Sequence, residues 1–256
     1  MTNGDGRVAL VTGGASGLGW ATALRFAQGG MKVAIADLQD EAARSAAARL
    51  PGAGHLGIAM DVASEDAVHA GFEVAEQALG PVAVLACFAG LLGTGKAGRV
   101  PLAEFTLAEW ERVSAVNARG TFLCLREIAR RRLRVPVAHG RVITVSSLAG
   151  QQGGLLAGAA YSASKGAVLA LTKVCARELA PLGITVNAIA PGPIDTPMMR
   201  ASQPASGDQY ANLALIPVGR VGQPAEIAAA AAYLASVEAA FVTGATIDIN
   251  GGMRMQ

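Results

Sequence analysis

RVALVTGGASGLG, residues 7–19, decides the fold. Its first half, RVALVT (7–12), is a short apolar run of strand character, and its second half, TGGASGLG (12–19), opens a helical pattern. Glycines between a strand and a helix suit a phosphate. Gly13 can make the tight turn, Gly17 lets a pyrophosphate approach the backbone at the helix N-terminus, and Gly19 lets that helix lie close on the sheet, with Ser16 and Leu18 in the same turn. Such turns also occur without a ligand, so the flanking strand and helix are what favour nucleotide binding.

Outward from this turn, apolar runs alternate with helical patterns along the chain. The strands are 7–12, 32–37, 55–60, 82–87, 141–146, 184–189 and 245–249, and the helices lie near 17–29, 40–50, 64–79, 106–134, 160–180 and 224–236. Several strands lack period-two alternation, as expected when helices cover both faces of a parallel sheet. Right-handed crossovers then give an α/β fold, a single-domain doubly wound Rossmann sheet of seven parallel strands. Ser64 and Pro224 are sensible helix starts. Two loops stand out: 91–99, and 196–219, whose length suggests a substrate lid.

Composition narrows the class of partner. With 256 residues, 52% hydrophobic, the chain can bury one sizeable core, and a net charge of +2 provides no basic field for nucleic acid or an anionic membrane. No apolar stretch is long enough to span a bilayer, and no secretory signal is seen. Cys87, Cys124 and Cys175 read as reduced core thiols, which fits a cytoplasmic protein. His55, His69 and His139 lack metal-ligand spacing, so no metal site is expected. Arg130, Arg131, Arg132 and Arg134 end the fourth helix, where cations complement the helix dipole, and are read as a solvated end.

Asp37 closes the second strand, twenty positions after Gly17. A carboxylate there accepts from the adenosine ribose hydroxyls of NAD and repels the extra phosphate of NADP, and neither Ala15 nor Leu38 offers a basic group for that phosphate. NAD is therefore favoured over NADP. The bland alternative is a cap for the following helix, for which Asp40 serves equally well. Asp61, in MDVAS, is either an adenine contact or a turn residue. YSASK (161–165) sets Tyr161 and Lys165 on one helical face, a weak signal by itself.

Together, the glycine turn, Asp37, the DV at 61–62, Asn117, the serines at 146–147, YSASK and PGPIDTP (191–197) occur in one order over nearly the whole chain. In this the sequence resembles the short-chain dehydrogenase/reductase family, and more loosely the NAD-dependent secondary-alcohol and type II 3-hydroxyacyl-CoA dehydrogenases within it. The resemblance implies four catalytic residues. Tyr161 is then the acid/base for the substrate oxygen, and Ser147 the hydrogen-bond partner of that oxygen. Lys165 holds the nicotinamide ribose and lowers the phenol pKa, while Asn117 holds a water leading from Lys165 to solvent. It also implies cofactor contacts from Val62, Ala89, Gly90, Pro191, Gly192, Ile194 and Thr196, beside Tyr161 and Lys165. Taken singly, Ser147 could equally end a strand and Asn117 cap or kink its helix.

The sequence departs from the family pattern where two asparagines usually follow the fourth strand, since CFAG (87–90) puts Cys87 and Phe88 there and their bracing hydrogen bonds must be lost or replaced. Ser147 also lies fourteen positions before Tyr161, one more than the commonest spacing. Leu148, Leu155, Leu156, Met198 and Met199, with Ser147 and Tyr161, are the expected substrate pocket. Their apolar character suits a hydrophobic or moderately polar secondary alcohol or ketone. Lys96 and Arg200 leave a coenzyme A phosphate open. The apolar faces of helices 106–134 and 160–180 match family members that assemble as a homotetramer. Two other functions compete: an NADPH-dependent 3-oxoacyl thioester reductase, which Asp37 disfavours, and a non-catalytic dinucleotide sensor or scaffold, to which CFAG lends its support.

Overall fold

The structure, a computed structural model, describes residues 6–93, 100–154, 157–201 and 213–255. Seven strands form one sheet: β1 (Val8–Thr12), β2 (Lys32–Asp37), β3 (Leu56–Ala59), β4 (Val82–Cys87), β5 (Gly140–Val145), β6 (Ile184–Pro191) and β7 (Thr246–Ile249). Their order is β3-β2-β1-β4-β5-β6-β7, and every neighbouring pair is parallel. The order reverses between β1 and β4, so connections leave in opposite directions and open a crevice at the strands' carboxyl ends.

The helices are α1 (Gly17–Gln28), α2 (Asp40–Ala48), α3 (Glu65–Leu79), α4 (Leu107–Ser114), α5 (Gly120–Arg134), α6 (Leu148–Gln152), α7 (Ala159–Leu179), α8 (Pro197–Ala201) and α9 (Pro224–Ala235). Six of them divide between two cores, α3, α5 and α7 in one and α1, α2 and α9 in the other. Val8 and Leu10 of β1 pack in the core with Phe72 of α3, Leu125 of α5 and Leu179 of α7, while Ala9 and Val11 pack with Phe26 of α1, Ala46 of α2 and Ile227 of α9. Alternate residues of β1 thus enter opposite cores, both apolar, which is why this strand shows no alternation. Local chemistry sets the helix ends: the Ser64 hydroxyl accepts from the Ala67 N–H at 3.3 Å, and Gln223 and Glu226 form a capping box around Pro224.

Three features differ from the sequence expectations. The helix expected over 106–134 is α4 and α5 joined by a π-helical turn, Ala115–Arg119, which carries Asn117. One wider turn shifts the apolar pattern by a single residue, too brief a change to separate two helices in the sequence. The short helices α6 and α8 lie in segments read as loops, because five residues are too few to show a helical period. The arginine cluster is not a solvated end. Arg132 is 2% exposed, donates to the Val82 carbonyl at 3.0 Å and pairs with Glu76, and Arg131 pairs with Glu127 at 2.6 Å and Glu76 at 3.0 Å. Only the outer members resemble the expectation: Arg134 is exposed, and Arg130 is a half-exposed partner of Glu65. Helix α3 packs along α5 and brings its carboxylate under the guanidinium groups.

Candidate active site

The carboxyl ends of the strands border a cleft of about 340 Å³ at the switch point. It is lined by Gly13, Ser16, Gly17, Leu18 and Gly19 of the first turn, Asp37 and Leu38 after β2, Asp61 and Val62 after β3, Ala89 and Gly90 after β4, and Thr196. Met60, Phe88, Leu91, Val116 and Pro197 also line it and were not foreseen. All five neighbour residues already singled out, which is the signal that could have found them. Met198, expected against substrate, lies in this cleft as well. Pro191, Gly192 and Ile194 are not in its lining; the Gly192 N–H donates to Ile249 at 2.9 Å, and Ile194 is buried in the α1/α9 core.

The glycine turn is shaped by contact. A Cβ on Gly19 would fall 2.2 Å from the Gly13 carbonyl oxygen, and one on Gly13, at φ +63°, 2.7 Å from Ala89. No side chain fits at either position, so the bare backbone closes on itself. Asp37 belongs to this assembly and not to α2: its Oδ2 accepts from the Ala15 N–H at 3.1 Å, while Gln39 occupies the N-cap of α2. Asp61 answers to both of its readings, since it lines the cleft and its Oδ1 accepts from the Ala63 N–H at 2.8 Å. Exposed Leu38 brings no cation. These groups fit a dinucleotide whose pyrophosphate lies on α1 and whose ribose meets Asp37.

The four remaining candidates, Asn117, Ser147, Tyr161 and Lys165, are not in the cleft's lining, but Gly90, which is, approaches two of them. A Cβ on Gly90 would lie 3.2 Å from Asn117 Oδ1 and 3.6 Å from Lys165 Nζ. Ser147 is the N-cap of α6, its Oγ accepting from the Ala149 N–H at 3.1 Å, and its side chain lies near enough to the Tyr161 phenol to lower the phenol's pKa. Lys165, one turn along α7 from Tyr161, is 5% exposed, donates to the Val145 carbonyl at 2.8 Å and sits 5.8 Å from the phenol ring centre. Asn117 is wholly buried; its Oδ1 accepts from the Leu91 N–H at 2.9 Å and its Nδ2 donates to the Leu91 carbonyl at 3.0 Å and to Ser164 Oγ at 3.1 Å. The π-helical turn is what points this amide between α7 and the segment after β4. Both Nδ2 hydrogens are committed, so a water held by Asn117 would use another of its atoms.

The electrostatics qualify one expectation. Burial raises the Tyr161 pKa, and the nearby Ser147 side chain opposes that rise. Lys165 is not the group lowering it in this geometry, because its ammonium is turned to Val145 and burial brings its own pKa down to about 8. Ser147 therefore carries more of the phenol's tuning than the sequence suggested. The thiols of Cys87 and Cys124 are free and buried together, and the Cys87 pKa is well raised by its partner thiol and by burial. The bracing lost with the asparagines comes from Thr12, whose carbonyl accepts from the Phe88 N–H at 3.1 Å and whose Oγ1 accepts from the Ala89 N–H at 3.2 Å.

Leu148 opens α6 and is partly exposed, Met198 and Met199 lie on α8, and Leu155, Leu156, Lys96 and residues 202–212 of the lid fall outside the described residues. Arg200 pairs with Asp195 at 2.7 Å. Among the described residues no group of three or more His, Cys, Asp or Glu could hold a metal ion, and no helix is long and apolar enough to cross a membrane.

A doubly wound sheet with this turn and a serine-tyrosine-lysine group beside it defines an oxidoreductase that works with a nicotinamide dinucleotide. The family model described as Enoyl-(Acyl carrier protein) reductase matches residues 13–254. The chain is 38% identical over 247 residues to 2-dehydro-3-deoxy-L-rhamnonate dehydrogenase (NAD(+)) of Sphingomonas sp. strain SKA58, covering 96% of this chain and 95% of that one. It is 37% identical over 254 residues to the 3-oxoacyl-(acyl-carrier-protein) reductase FabG of Vibrio cholerae, covering 99% of each. A crystal structure of a dehydrogenase/reductase from Sinorhizobium meliloti 1021 superposes with a TM-score of 0.89 at 35% identity, covering 99% of this chain and 97% of that one. The chain belongs to the short-chain dehydrogenase/reductase family.

Proposed function

We propose that this protein interconverts a secondary alcohol and a ketone with NAD, and that Asn117, Ser147, Tyr161 and Lys165 are its working residues. The observation that carries the reading is the grouping of Ser147 beside the Tyr161 phenol with Lys165 one turn further along α7, where Gly90 of the cleft approaches Lys165 Nζ and Asn117. A bound nicotinamide supplies the hydride acceptor or donor. Tyr161 exchanges the proton with the substrate oxygen, and Ser147 holds that oxygen against the phenol. Lys165 gives one ammonium hydrogen to the Val145 carbonyl and keeps the others for the ribose, and Asn117 fixes the backbone at Leu91 against α7. The methionines of α8 and Leu148 support an apolar or moderately polar substrate, with 196–219 as its lid.

Asp37 supports NAD. Its carboxylate, tied through one oxygen to the glycine turn, keeps the other for a ribose hydroxyl and sets a negative charge where NADP would bring a phosphate. The likeness to the 3-oxoacyl-(acyl-carrier-protein) reductase favours a second reading, an NADPH-dependent thioester reductase. Titrating the purified protein with both cofactors separates the two; tighter binding of NADPH would overturn the first. In Asp37→Ala the preference for NAD over NADP is expected to shrink about tenfold, the worth of roughly 1.4 kcal/mol. An unchanged ratio would assign the preference to other residues.

The same reading includes a cytoplasmic homotetramer. Leu107, Trp110 and Phe122, on α4 and α5, are 70%, 41% and 40% exposed, a cost that a second copy against them would remove. Light scattering is expected to give the mass of four chains, and a monomer mass would remove the assembly.

A further inference from the structure

We infer that the C-terminal segment is a clamp on the substrate side of the site, with Asp248 as its positioning residue; this rests on the proposed reaction and adds to it residues outside the serine-tyrosine-lysine group. Asp248 of β7 bridges two elements. Its Oδ1 accepts from Gln151 Nε2 of α6 at 2.6 Å, and its Oδ2 accepts from Arg254 Nη1 at 2.9 Å. All three side chains are at least partly buried, and Asp248 and Arg254 are 17% and 27% exposed.

Helix α6 has little freedom apart from this tie. Ser147 caps one end, and Gly150 lies so close on α7 that a Cβ there would fall 2.6 Å from the Lys165 carbonyl carbon. Gln151 fastens the other end, so its bond to Asp248 helps set where Ser147 stands relative to Tyr161 and Lys165.

The turn that follows β7 holds the exit of the 196–219 segment. The Val218 N–H donates to the Gly251 carbonyl at 3.1 Å, and Cβ atoms on Gly251 and Gly252 would fall 2.6 Å from Ile216 and 3.1 Å from Pro217. Asn250 closes the turn internally, accepting from the Gly252 N–H at 3.0 Å and donating to the Arg254 carbonyl at 3.2 Å. The same few residues therefore fix the helix that Ser147 caps and the segment that rejoins the fold at Pro217–Val218. A carboxylate serving two donors at once couples them, since losing its charge weakens both bonds.

Asp248→Asn and Arg254→Ala in the full chain test this by hydrogen exchange and by kinetics. Amides of residues 149–153 and of Ile216, Val218 and Gly219 are expected to exchange about tenfold faster in both variants, with residues 13–19 unchanged, because both segments lose one shared anchor. With NAD saturating, kcat/KM for a secondary alcohol is expected to fall about tenfold, mainly in KM, with the Kd for NAD within about twofold of the parent. Arg254→Lys, which keeps the charge, should recover most of the loss. Faster exchange in one segment alone, or unchanged exchange in both, would overturn the clamp. So would equal losses in NAD affinity and in kcat/KM. Should the parent protein turn over no secondary alcohol, the functional reading fails and the exchange result still decides the coupling.

Discussion

Tyr161→Phe is expected to lower turnover of a secondary alcohol by about 10²- to 10⁴-fold, the range for losing a positioned acid/base, while the Kd for NAD stays within a few fold. The change removes a single oxygen. That oxygen lies beside Ser147, so the variant keeps the ring and loses the group that exchanges a proton with substrate. The pH profile supplies a second readout. Burial holds the phenol in its protonated form, so alcohol oxidation by the parent should rise with pH as Tyr161 gives up its proton. The residual rate of the variant should be nearly flat over that range. Near-normal activity in Tyr161→Phe would overturn the assignment, and a loss of NAD affinity as large as the loss of turnover would make the phenol a binding group.

The largest effect on stability is expected far from the cleft, at Glu76. This carboxylate accepts from Arg131 and from the Val82 N–H at 3.0 Å, and it is the acidic partner of buried Arg132, whose other bond is to a backbone carbonyl. Removing one member of a buried pair strands the other in a medium that cannot hydrate it. Glu76→Ala should therefore cost about 3 to 5 kcal/mol, read from urea unfolding as a lower midpoint at unchanged slope. Asp40→Ala breaks the exposed pair with Arg44 and makes a useful comparison, with the unfolding midpoint expected to move little because solvent screens the pair. Equal effects from the two would mean that the Glu76 network contributes no more than a surface pair.

Much of this was legible in the residues. Glycine at 13 and 19 reported close backbone contact, and the structure places both where a Cβ would collide. Asp37 could be read as a cleft residue because its distance along the chain from the turn follows from one strand-helix-strand unit, and the alternative of a helix cap falls to Gln39. What escaped was tertiary. Nothing in RRRLR says that α3 will bring Glu76 beneath it, since a helical pattern gives a face and not the charge that face will meet. Thr12 looks like an ordinary strand residue until the loss of two asparagines leaves it as the brace between β1 and the chain after β4. The direction of Lys165 was equally hidden. YSASK fixes which side of α7 it occupies, whereas its Val145 partner comes from β5.

The π-helical turn at Ala115–Arg119 sets the phase between two helices that otherwise run on as one. A regular α-helix advances about 100° per residue, so one residue more or fewer at this joint would swing all of α5 about its axis. Leu123, Cys124 and Ile128 would leave the core together, and Asn117 would lose its line to Leu91. The joint is therefore strict in length, and the count of residues through these five positions aligns the hydrophobic core with the cleft.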